Sequence, residues 1–299
     1  MMKRFTGLVV LLTLFVMGVG CSQNDPLTGP NQGANPYLSQ KNGTEVLGPP
    51  SIPIAGGTGF AEGGVGMVGV NTGQLDVEVP PNAQINQVLV YWAGGTTGGD
   101  PGDDEITLDE ITLDGTPIAG ELIGGPTLFF WDYEFSAYRA DITELGLVSP
   151  GLNSFAVAGF DFAREPLDEN NGISILVIYE EGPASVLTLR DGLDMAYFGF
   201  QPTLDATVPQ VFSVTPANEA RTAELLLIVS SVGEHRPNSL KITTAEGVEI
   251  FENVLNSTDG PAWDSLIRTI DIPAGVDEMS VQVISTDSMD PQGASMGWV

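Results

Sequence analysis

The sequence predicts an all-β protein built of two tandem antiparallel β-sandwiches, of jelly-roll or immunoglobulin-like kind, behind a signal peptide and a flexible tether. Three observations lead there. From about residue 51 onward, short apolar runs rich in Val, Ile, Tyr and Phe recur between Gly, Pro, Asn and Asp, the punctuation expected of strands. Long stretches with a helical period of 3.6 are missing. The body also presents the same order of features twice, the mark of an internal repeat.

The first element is MMKRFTGLVVLLTLFVMGVG, residues 1–20. Lys3 and Arg4 supply a short positive region, Leu8 to Met17 is apolar apart from Thr13, and Gly18, Val19 and Gly20 are small. This is the layout of an export signal. The apolar run falls short of the roughly 20 residues that span a bilayer. Cys21 follows at once and is the only cysteine of the 299 residues, so it has no disulfide partner within the chain. Its place resembles the bacterial lipobox, in which the cysteine thiol is acylated; that resemblance implies lipidation at Cys21 and anchoring at the outer membrane or cell surface. Gly18 stands where the lipobox prefers Leu, and plain secretion is the other outcome of such a leader.

Residues 21–50 are rich in Pro, Gly, Asn, Gln and Ser, with isolated apolar residues. They read as a tether that holds a folded body away from the anchor. The strand runs then begin, among them LDVEV at 75–79, QVLVYWA at 87–93, SFAVAGF at 154–160, ISILVIY at 173–179, AELLLIVS at 223–230 and MSVQVIS at 279–285. A short helical turn is expected at DITELGL, 141–147.

The repeat divides the body into a first sandwich over 51–200 and a second over 201–299. Each copy has a long apolar strand ending in Gly, a strand–turn–strand with DG or EG at the turn, and a Trp-Asp pair (Trp131–Asp132 or Trp263–Asp264). An Arg-bearing strand (Arg139 or Arg268), a Pro-Gly or Pro-Ala-Gly turn and two closing strands complete it. The last apolar run reaches Val299 without a closing turn. The second sandwich is therefore expected either to end in a terminal strand or to be cut short within a longer chain.

VEVPPNAQINQVLVYWAG and GISILVIYEEGPASVLTLRDGLD resemble two characteristic stretches of an uncharacterised family of secreted bacterial and archaeal surface domains. The resemblance covers roughly residues 75–200. It implies a β-sandwich without an assigned activity, in a setting of surface adhesion. No array of repeats extends this chain outward, which departs from the larger members of that family.

Composition removes several functions. The chain carries 39 acidic and 10 basic residues, a net charge of −29. Such a surface repels nucleic acid and anionic lipid and favours divalent cations. One cysteine and one histidine, His235, rule out Cys-rich zinc sites and His clusters; with Cys21 read as the lipidated residue, no Cys–His catalytic pair is expected. No G-x-S-x-G occurs, and His235, in the turn GEHRPN, reads as a surface residue rather than a triad member.

Three constellations could still carry chemistry. Asp100, Asp103, Asp104 and Glu105 sit in the Gly-rich loop GGDPGDDE, hard oxygens suited to Ca²⁺ or simply to a solvated acidic hairpin. The loop DENNG brings Asp168 and Asn170 in a similar way. Tyr91, Trp92, Phe129, Phe130, Trp131, Tyr133 and Phe135 could stack on sugar rings if exposed, or pack the core if buried. The matching places of Trp131 and Trp263 favour the core. Asp132 and Glu134 lie at i and i+2, a spacing compatible with glycoside hydrolysis only if a cleft desolvates one of them.

The reading that results is an exported, lipid-anchored protein of the bacterial cell envelope. It contacts the membrane through lipid, meets a cell-surface glycan or protein, and serves a structural, adhesive or binding role without identifiable catalysis. A carbohydrate-binding module is the alternative, and a glycan-active hydrolase the further one. No cofactor is expected other than calcium at 98–105.

Overall fold

In the first half of the body, β1 (Gly59–Gly66), β2 (Gly73–Val79), β3 (Gln84–Thr97), β4 (Glu110–Leu113), β5 (Thr116–Ala119) and β6 (Glu121–Phe130) follow one another. β7 (Tyr133–Asp141), β8 (Gly151–Ala158), β9 (Ala163–Arg164) and β10 (Leu167–Glu180) complete it. The second half holds β11 (Asp194–Tyr197), β12 (Gln210–Ser213), β13 (Arg221–Val232), β14 (Ser239–Thr244), β15 (Gly247–Glu252), β16 (Ala262–Ile272), β17 (Glu278–Ile284) and β18 (Ser295–Trp298). The computed structural model describes residues 46–97, 110–130, 133–159, 163–164, 167–183, 185–200, 204–288 and 295–299. The leader, Cys21, nearly all of the tether, the acidic loop 98–105, Trp131 and Asp132 lie outside the described residues. Within them the fold is all-β, as the sequence predicts, and every strand pairing is antiparallel.

Four sheets form, in the orders β1-β10-β3-β7-β6, β2-β8-β4-β5, β11-β18-β13-β16 and β12-β17-β14-β15. Matching β1 to β11, β2 to β12, β3 to β13, β4 to β14, β5 to β15, β7 to β16, β8 to β17 and β10 to β18 superimposes both orders strand for strand. Each half is thus an eight-strand, two-sheet jelly roll. The first half adds β6 beyond β7, and the short β9 beside β10. The internal repeat read from the sequence is a repeat of topology. β11 precedes residue 201 yet pairs with β18, so it supplies an edge of the second roll. A 3-10 turn at Thr143–Leu145 falls where DITELGL placed a short helix, and Gly146 closes it at a φ of 60°. Among the described residues no helix is long and apolar enough to cross a membrane.

Side chains alternate across each strand, and here both faces of two sheets are used. Val88, Val90 and Trp92 of β3 point into the first sandwich, against Leu75, Val77, Phe155 and Val157. Leu225, Leu227 and Val229 of β13 do the same in the second, against Leu240, Ile242, Val281 and Val283. The intervening residues of β3, Leu89, Tyr91 and Ala93, enter a third core with Phe135, Leu176, Ile178, Met195, Tyr197, Ile228 and Trp263. This core joins the two rolls, and the described residues belong to one compact unit. It also explains why QVLVYWA, ISILVIY and LLLIVS read as continuous apolar runs: their strands are covered on both faces.

Glycine-rich β1 allows the rolls to approach. A Cβ on Gly64 would stand 2.6 Å from both Asp259 Oδ2 and Ser265 Oγ; one on Gly66 would stand 2.5 Å from the Gly260 carbonyl carbon and the Pro261 oxygen. In their place, the Gly66 amide donates to the Asp259 carbonyl at 2.8 Å.

Candidate functional site

Among the described residues, several of those singled out by pattern are spent on the fold. Tyr91, Trp92 and Phe135 are buried, so these three rings offer no stacking platform to a sugar; Trp92 instead stacks on Tyr138 with centroids 5.8 Å apart. Glu134 is exposed while Phe135 is buried, the alternation expected of β7. Asn170 is buried, and its side-chain oxygen accepts the Gly172 amide at 3.1 Å. Trp263 is buried, as its place in the repeat suggested, and Nε1 donates to Ser174 Oγ at 2.8 Å.

Both acids of the DGLD stretch are buried. Asp191 accepts from Arg139 Nη1 at 2.5 Å, and Nη2 of the same guanidinium reaches Glu121 Oε2 at 2.8 Å and Ser51 Oγ at 2.7 Å. Burial pushes the Asp191 carboxyl up, and Arg139 opposes that shift. Burial likewise pushes the Tyr91 hydroxyl up, with the Asp191 charge adding to it. Asp194 accepts from the Val208 amide at 2.5 Å and holds the connection into β12. These acids fix the fold. Arg268, the counterpart of Arg139 in the repeat, sits over the Phe251 ring at 3.5 Å. Arg139 is two residues before Asp141 and Arg268 three before Asp271, and this offset of one sends the two side chains to opposite faces of their sheets.

A second acidic group, partly buried, lies between the rolls. Glu62 on β1 stands near Asp259, Asp264 and Ser265. Burial, then the charge of Asp259, push its carboxyl up to about 7, with Asp264 adding to the rise and a hydrogen bond from Ser265 opposing it. Burial also raises Asp259. Asp259 Oδ2 accepts the Ser265 amide at 2.6 Å, and both oxygens of Asp264 are engaged, by the Asn256 amide and by Thr258 Oγ1 at 2.5 Å each. Among the described residues no group of three or more acids, His or Cys is arranged to hold a metal ion.

His235, Arg236, Pro237, Asn253, Leu255, Asn256 and Asp287 line a cleft of about 340 Å³ at one end of the second roll. It lies between the β13–β14, β15–β16 and β17–β18 connections. The β13–β14 connection corresponds, by strand order, to the β3–β4 connection that carries Asp100, Asp103, Asp104 and Glu105.

The cleft is built around Asn238, which is wholly buried. Its Nδ2 donates to the Arg236 carbonyl at 2.9 Å and the Leu255 carbonyl at 2.6 Å, and its Oδ1 accepts the Leu255 amide at 3.1 Å. The Asn253 side chain accepts the Asn238 amide at 3.2 Å and donates to Asp287 Oδ2 at 2.9 Å, which ties in the third connection. Asn256 Oδ1 accepts the His235 amide at 2.6 Å. Asp264 of the Trp-Asp pair anchors the base of the same loop. His235, Asn253, Ser257 and Ala262 take positive φ values of 57°, 54°, 53° and 62°, a cluster of uncommon backbone states that the hydrogen bonds hold in place. His235 itself is exposed, with Nε2 3.3 Å from Glu234 Oε1.

GEHRPN was legible as a turn, but its partners 253–256 and 287 are distant in sequence. Only the fold brings them together.

No family model and no curated protein matches the chain. Among solved structures, PBCV-1 VP54 fitted into a cryo-EM reconstruction of the virophage Sputnik is similar at 11% identity over 83% of this chain and 94% of that one, with a TM-score of 0.20. A likeness that slight carries no argument about this chain.

Proposed function

We propose that the chain is an exported binding protein of the bacterial cell surface, anchored through lipid on Cys21, and that the cleft at the end of the second roll is where it meets its ligand. The anchor reading is supported by the leader and by the lone cysteine that directly follows it. The cleft reading rests on one observation: the four ties of buried Asn238, with the Asn253–Asp287 hydrogen bond, link residues of three connections around an open, polar cavity. Binding sites are concave and largely preformed, with a few placed polar groups. A connection that served only to join strands would not need such bracing.

The test is a printed panel of bacterial-surface glycans and envelope fractions. It is probed with the full chain and with a variant carrying His235→Ala and Asn256→Ala. Binding that the double substitution removes, at unchanged melting temperature, supports the reading. Binding indifferent to it, or no binding to any member, contradicts it.

A further inference from the structure

Arg236 is half-buried in the wall of the cleft. Among the described residues its guanidinium joins no ion pair and donates no side-chain hydrogen bond. Its stem lies across Gly233, where a Cβ would stand 2.6 Å from Arg236 Cδ. The neighbouring polar side chains are engaged: His235 with Glu234, and Asp287 with Asn253. From this we infer that the cleft takes a carboxylate-bearing sugar of a surface glycan, with the carboxylate paired to Arg236. The inference rests on the reading of the cleft as the binding site.

The chemistry of the walls selects this class in three steps. A guanidinium is a planar fork of donors that matches a carboxylate in bidentate fashion, and one held by its packed stem at a cleft wall, without an acceptor among the described residues, is open to an anion. The anion should carry a single charge, because Glu234 and Asp287 stand beside the site and the chain as a whole bears −29. A phosphate dianion or a run of acidic residues would meet repulsion that a single carboxylate avoids. The rest of the ligand should be rich in hydroxyls. Asn256 Oδ1 is occupied by the His235 amide, which turns its Nδ2 donor toward other partners, while Asp287 is an acceptor. A wall of mixed donors and acceptors suits groups that both donate and accept, as hydroxyls do.

Among the described residues, no Trp, Tyr or Phe lines the cleft. A neutral sugar recognised by ring stacking would find no platform there, so recognition has to run through the charged handle. The volume of about 340 Å³ lies at the lower end of the range for ligand pockets, in keeping with a terminal sugar unit rather than a long chain laid across a surface.

Calorimetry on the full chain tests this with four probes. They are a tetrasaccharide ending in one uronic acid, the same tetrasaccharide with that carboxyl reduced to an alcohol, inorganic phosphate, and a tetraglutamate peptide. The expected result is binding of the uronic-acid form alone. Affinity should be weakened about tenfold or more by Arg236→Met, the loss of a charge-assisted pair, and partly restored in Arg236→Lys. Both variants should keep the wild-type melting temperature. Equal binding of the reduced tetrasaccharide, preference for phosphate or peptide, or indifference to Arg236→Met would overturn the inference. If a neutral glycan binds and is lost in the His235→Ala, Asn256→Ala variant, the ligand class is wrong and the cleft reading stands. If no probe or panel glycan binds through the cleft, both are wrong.

Discussion

Trp263 on β16 and Ser174 on β10 meet across the core between the rolls, indole Nε1 to Oγ at 2.8 Å, and Ser174 Oγ lies a further 2.7 Å from Ser265 Oγ. This is a polar contact inside an apolar layer, so its loss leaves a buried donor unpaired. Ser174→Ala is expected to destabilise the protein by about 1–3 kcal/mol. Trp263→Ala, which also empties the largest side chain of the layer, should cost about 3–5 kcal/mol. Chemical denaturation of the two variants checks both values. Near-equal losses would show that the ring volume contributes little.

The close approach at β1 makes a sharp steric prediction. In Gly66→Ala the new methyl meets backbone atoms of Gly260 and Pro261 at 2.5 Å, which cannot rotate away. A loss of about 1–3 kcal/mol is expected from overpacking. Gly56→Ala, with nothing within 4 Å of the added Cβ, is the control and should change the melting temperature little. A neutral Gly66→Ala would mean that the loop at 257–261 stands off from β1 in solution.

Stability should depend on pH through Glu62. Its carboxyl is raised from 4.5 to about 7 in the folded state, so between those values the folded protein holds a proton that the unfolded chain has released. Folding is then favoured at low pH, and the contribution from Glu62 declines as pH rises from about 4.5 through about 7, after which it is flat. Asp259, also raised by burial, acts in the same direction. Glu62→Gln should flatten this part of the profile, measured by melting temperature against pH. An unchanged slope in that variant would contradict the assignment.

Asn238 makes three hydrogen bonds through its side chain alone. Asn238→Ala should cost about 3 kcal/mol by leaving buried carbonyls and an amide unpaired. It should also speed hydrogen exchange at 233–238 and 253–257 more than in the strands. Exchange that rises evenly across the second roll would show that the cleft is not separately braced.

Much of this fold can be read from the chain because its signals are local. Val, Ile and Leu runs of strand length mark β3, β10 and β13, and DG and EG mark the β4–β5 and β14–β15 turns. The ordered recurrence of these features corresponds to the recurrence of one strand order in the sheets. What local pattern could not show is which faces meet. Leu89, Tyr91 and Ala93 alternate with Val88, Val90 and Trp92, yet nothing near them in sequence says that a third core lies on their side; that depends on Met195, Ile228 and Trp263. The aromatic stretch was ambiguous for the same reason, since exposure is set by the neighbouring layer. Asp191 lies in the DGLD stretch with nothing beside it in sequence to mark its partner, Arg139, 52 residues away. The cleft was the least legible feature. Its frame is Asn238, an ordinary turn residue by sequence, and its walls come from three separated connections.

The most direct test of the account is hydrogen–deuterium exchange of the full chain with and without the uronic-acid tetrasaccharide at saturating concentration. The account predicts added protection confined to 233–238, 253–257 and the neighbourhood of Asp287, and its disappearance in Arg236→Met. Protection centred on another part of the surface, or none at all, would contradict it.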